Sequence, residues 1–140
     1  MRNGNLTANP WLRVIAFFTA ILFGLGASAA ELAQQSSQAG GVTVRVKPAD
    51  VSGKAATWSF QVVLDTHSGD LSDDLAAAAV IVDAGGKKYS AVGWEGDAPG
   101  GHHRKGVLRF KAPSPRPHSI ELRIQRPGEA APRAFRWQLK

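Results

Sequence analysis

The sequence predicts an all-β fold, an immunoglobulin-like β-sandwich of about seven antiparallel strands over residues 42–140, behind an N-terminal signal peptide. Three observations predict it. Apolar and polar residues alternate with a period of two in four separate stretches, turn residues divide those stretches, and no long helical period appears after residue 30.

Residues 1–30 read as a targeting segment. Arg2 and Arg13 give the positive flank, residues 14–25 the apolar run, and Gly26-Ala27-Ser28-Ala29-Ala30 the small-residue end of a signal peptide. The run is shorter than the roughly 20 apolar residues of a spanning helix. That favours a cleaved signal over an anchor, with no membrane span in the mature chain. Cleavage after Ala29 and after Ala30 fit equally well, and either implies a periplasmic or secreted product. Residues 31–41, rich in Gln, Ser, Ala and Gly, read as a flexible linker.

The strands follow. Val42, Val44 and Val46 alternate with Thr43, Arg45 and Lys47, and Trp58, Phe60, Val62 and Leu64 alternate with Ser59, Gln61, Val63 and Asp65. Later, Ile120, Leu122 and Ile124 share one face, as do Phe135, Trp137 and Leu139. Such alternation marks strands half-buried against a core. Weaker strands lie at 78–83 and 87–94, joined across Ala84-Gly85-Gly86, and at 106–112. Pro127-Gly128-Glu129 turns the chain into the last strand. Ser72-Asp73-Asp74 before Leu75 and four alanines has the composition of a short capped helix.

Composition excludes several chemistries. There is no cysteine, so disulfides, thiol catalysis, thiolate metal sites and lipid attachment through cysteine are ruled out. The one methionine, Met1, leaves with the signal and takes a thioether copper(I) site with it. Without Arg2 and Arg13 the chain keeps 15 Lys and Arg against 11 Asp and Glu, a net charge of about +4. That charge is spread thinly along strands, with none of the basic runs of a nucleic-acid footprint.

Two polar loops hold the candidate site. One is Asp65-Thr66-His67-Ser68-Gly69-Asp70; the other runs from Trp94 through Glu95, Asp97, Gly100-Gly101, His102 and His103 to Arg104. Antiparallel strands place connections alternately at two ends. Counting from Val42, the 66–77, 95–105 and 127–132 connections share one end, and the 48–56, 84–86 and 113–117 connections the other. His67, His102 and His103 therefore meet, and His118 lies opposite. Neutral imidazoles bind zinc or copper(II), and Gly100-Gly101 would let adjacent imidazoles converge where a regular strand forbids it. Against a metal, the histidine spacing matches no metal motif, and the same side chains serve equally well as hydrogen-bonding partners of Asp65 or Asp70. Asp65, His67 and Ser68 carry the parts of a hydrolytic triad, but one loop rarely supplies triad geometry and no oxyanion hole is evident. Asp70, Asp73 and Asp74 do not fit a calcium loop. Trp94 breaks the alternation, which makes it either a binding aromatic or a lid over the core.

The segments FQVVLDTHSGD (60–70), VGWEG (92–96) and GGHHRKGVLRF (100–110), with SIEL (119–122) and FRW (135–137), resemble an exported prokaryotic domain family of unassigned function. The resemblance implies a discrete β-sandwich module whose two histidine loops belong together. The resulting expectation is a non-catalytic binding or interaction module. Its surface is Asp65, His67, Asp70, Trp94 and Arg104, and its partner an unidentified protein or small ligand rather than a nucleic acid. The alternative is a periplasmic metal-binding protein that holds zinc or copper(II) through His67, His102 and His103.

Overall fold

Strand β1 (Gln35–Ala39) turns back at once into β2 (Val42–Asp50), and β3 (Thr57–Thr66) follows. A single helical turn, α1 (Leu75–Ala78), leads into β4 (Ala79–Asp83), and then come β5 (Lys88–Gly96), β6 (His103–Lys111), β7 (Ser119–Ile124) and β8 (Arg133–Gln138). These elements belong to a computed structural model that describes residues 32–140. The expected signal peptide, residues 1–30, lies outside the described residues.

All pairings are antiparallel, and they join the strands into one sheet in the order β1-β2-β3-β6-β5-β4-β7-β8. The expected all-β class is therefore present, but as eight strands in one nearly closed, barrel-like sheet rather than as two stacked sheets. β5 explains the continuity. Residues 88–90 pair with β4, residues 91–96 pair with β6, and the register shifts between Ala91 and Gly93. A bulge of this kind bends a strand and lets it serve both halves of a sheet.

The eighth strand corrects the reading of residues 31–41 as a linker. Residues 35–39 pair with β2 across the two-residue turn Gly40-Gly41, where both φ values are positive (55° and 75°). Glycine adopts such a turn freely, and its twist suits a hairpin. Backbone bonds hold β1, so it needs no apolar alternation. Its outer edge meets β8 through side chains. The Gln35 carboxamide accepts from the Arg136 N–H at 2.9 Å and donates to the Arg136 carbonyl, while Trp137 Nε1 donates to Ala33 O at 2.7 Å.

Inside the sheet, Trp58, Phe60, Leu64, Leu108, Phe110, Ile120, Leu122, Phe135 and Trp137 are all buried, as their alternation requires. Phe60 sits edge-on to Phe110 with centroids 5.7 Å apart and touches Trp137 at 5.9 Å, so β3 and β8 face each other across the interior. Aromatic pairs of this geometry add to the burial of their area.

The expected helix at Leu75 is present but short. Asp74 caps it, accepting from Ala77 N at 3.1 Å. Four residues then suffice before Ala79 enters β4.

Candidate functional site

The loop end is built from the β1–β2 turn, residues 67–74, residues 97–102 and residues 125–132. The counted parity holds because β1 is added ahead of Val42 and leaves the later count unchanged. The two histidine loops are laced together by backbone. Thr66 N donates to His102 O (2.9 Å), Leu71 N to Gly101 O (3.1 Å) and Gly100 N to Leu71 O (2.9 Å). Gly100 and Gly101 both have positive φ, which allows this close pairing. Asp70 adds its carboxylate, which accepts from Gly101 N at 2.8 Å.

β6 begins at His103, earlier than its apolar pattern suggests, so His103 and Arg104 are strand neighbours and point to opposite faces. His103 lies outside, opposite Asp65 in the register, and its Nδ1 is paired with the Asp65 carboxylate. Asp65 also takes a bond from Arg45. The hydrogen bond from His103, helped by the Arg45 charge, holds the Asp65 carboxyl below the usual carboxylate range despite some desolvation. His67 and His102 are exposed on their loops. Among the described residues no three His, Asp or Glu side chains come together in a metal-holding group.

Arg104 lies inside, where the expected binding surface has to be corrected. It is only 2% exposed. Its Nη1 donates to Leu71 O (3.2 Å) and Asp73 O (2.6 Å), its Nε to Asp97 O (3.2 Å), and its guanidinium lies 5.2 Å from the Trp94 ring. Arg104 therefore braces the loops from below and presents nothing to a partner. Trp94 acts as a lid. It is half-buried against the core, its Nε1 donates to Asp97 O at 3.0 Å, and its ring covers Gly106, where a Cβ would come within 2.5 Å of it.

Two further arginines go beyond the expected site. Arg126 is buried and forms a two-pronged pair with buried Asp73, at 2.7 and 2.9 Å. Burial works against the Arg126 charge, but the hydrogen bonds and charge of Asp73, joined by Glu129, outweigh it and hold the guanidinium protonated more firmly than usual. Arg133, also buried, donates to Ser37 O (3.0 Å), Val42 O (2.8 Å) and Ala39 O (2.8 Å), and grips Glu129. Arg133, then Arg126, keep the Glu129 carboxyl below its ordinary range against desolvation. A signal for all three was in the sequence. Arg104 continues the inward register of Leu108 and Phe110, Arg126 that of Leu122 and Ile124, and Arg133 that of Phe135 and Trp137. Each is the residue where an apolar face runs out at the loop end.

The arrangement can do two things chemically. It braces four connections from inside, three through carbonyls in or beside them and residues 125–132 through the Glu129 carboxylate, and it leaves His67, Ser68, His102 and His103 facing solvent on that fixed base. The chain matches no protein-family model, no curated protein and no solved structure. The functional reading therefore rests on this geometry.

Proposed function

We propose that this chain is an exported, non-catalytic interaction module that recognises its partner with the loop end, through His67, Asp70, His102 and His103. One observation carries the reading: exposed hydrogen-bonding side chains stand on loops braced by three buried guanidinium groups, Arg104, Arg126 and Arg133. Burying charge is unfavourable unless every donor is matched, and apolar side chains would fill the same positions at least as stably. Such an arrangement suits loops whose shape matters, because recognition gains when the contacting groups are held in place before binding. The Asp65–His103 pair adds to this, since it engages Nδ1 and fixes the ring on the strand.

Amide-shift mapping of the isotope-labelled protein against a library of small polar fragments tests the reading. Shifts should concentrate at residues 66–70 and 100–103 and vanish in a His67→Ala/His102→Ala double variant that melts like the parent. Shifts scattered elsewhere, or unchanged in that variant, would rule it out. Export has its own test: the mature protein should begin at Ala30 or Glu31, and an N-terminal sequence starting at Met1 would refute it.

A further inference from the structure

At the end opposite the histidine loops, two hollows meet beneath Arg116, and we propose that together they bind a single-chain anionic amphiphile, a carboxylate-headed acyl chain. The larger hollow, of about 550 Å³, has an apolar wall of Leu32, Val51 and Leu139. The smaller, of about 340 Å³, runs past Ala55, Trp58 and Pro113. Ser52, Gly53 and Arg116 line both, so the two are neighbours with one shared threshold. Their sizes fall within the roughly 300–1,000 Å³ typical of small-molecule sites, which are mostly apolar with a few placed polar groups.

Charge selects the kind of ligand. Arg116, Lys140 and Lys111 line the hollows, and among the described residues no acidic side chain does. Arg116 is held in place before any ligand arrives. Its Nε and Nη2 donate to Val51 O at 3.2 and 3.1 Å, and its Nη1 donates to Lys140 O at 2.7 Å. Its stem lies against Gly53, where a Cβ would come within 3.3 Å of Cδ, and its guanidinium sits 5.9 Å from the Trp58 ring. These bonds use three of the five N–H groups of a guanidinium. The remaining two N–H groups, one on each Nη, can donate to a carboxylate whose hydrocarbon tail lies on the Leu and Val wall. A neutral amphiphile would gain the wall alone.

Calorimetric titration of the purified protein with decanoate, below its micellar concentration, tests the proposal against 1-decanol, which has the same chain without the charge. Decanoate should bind saturably at one site, with decanol at least about tenfold weaker. Arg116→Gln should lose decanoate binding to a similar degree. Because Arg116 also braces Val51 and Lys140, a Lys111→Gln/Lys140→Gln variant provides an independent check and should bind decanoate several-fold more weakly. His67→Ala/His102→Ala should leave decanoate affinity unchanged, which separates this groove from the loop end. No saturable decanoate binding, equal affinity for decanol, or parental affinity in both charge variants would overturn the proposal.

Discussion

Replacing Arg104 with leucine would keep an apolar stem in place but strip donors from Leu71 O, Asp73 O and Asp97 O beneath the loops. Leu71 O keeps its bond from Gly100 N and Asp97 O its bond from Trp94 Nε1, so Asp73 O is the acceptor left unpaired. A buried acceptor without a donor is destabilising, and the expected loss is roughly 1–3 kcal/mol in denaturant melts. A change of only a few tenths would mean that the brace contributes little. Glu129 offers a pH-dependent counterpart. Its carboxyl is held below its ordinary value, chiefly by Arg133, so the folded state binds its proton less readily than the unfolded chain. The stabilisation is therefore fully present above the unfolded-state value and is lost as pH falls through the lower folded-state value. Melts between about pH 7 and pH 3 should show the parent losing more stability on acidification than Glu129→Gln, because the amide has no such proton to bind. Parallel curves would show that the carboxylate is not coupled to folding.

At the level of strands, period-two alternation carried most of the fold. It identified four of the eight strands and their inward faces, because each must bury one row of side chains to stay paired, while turn residues and short apolar runs marked three more. Replacing Phe60 or Trp137 with alanine should therefore destabilise by about 3–5 kcal/mol, through lost burial and a residual cavity. Variants within about 1 kcal/mol of the parent would contradict the packing of β3 against β8. The strand left unidentified, β1, is held by its ladder to β2 and shows little side-chain burial. Its only sequence signal was the Gly40-Gly41 turn ahead of Val42. The loop end was partly legible for a related reason. Counting connections brought His67 to His102 and His103, but ending the loop at Arg104 and starting the strand at 106 hid its place in the inward register of β6. Charge usually means surface, but among the described residues Arg104, Arg126 and Arg133 each carry an inward apolar register on to the loop end.

Across the whole molecule, one end is closed by guanidinium groups satisfied from within, and the other keeps open hollows around Arg116. Between the ends the sheet closes on itself at the β1–β8 seam. There a glutamine side chain, which carries the same donor and acceptor as a peptide group, stands in for part of a backbone ladder. That substitution makes the seam the easiest place for the barrel to open. Local opening needs only β1 to swing away, while β3 and β6 stay paired along their lengths. Amide protons of β1 and of the outer edge of β8 should exchange with deuterium well before those of β3 and β6. Gln35→Ala should hasten exchange at the seam and leave the slowest protons at the parental rate. If seam and core protons exchanged together, the closure would be part of a single cooperative unit. If they part, β1 is a detachable edge, and the place where one copy of this chain could lend a strand to another.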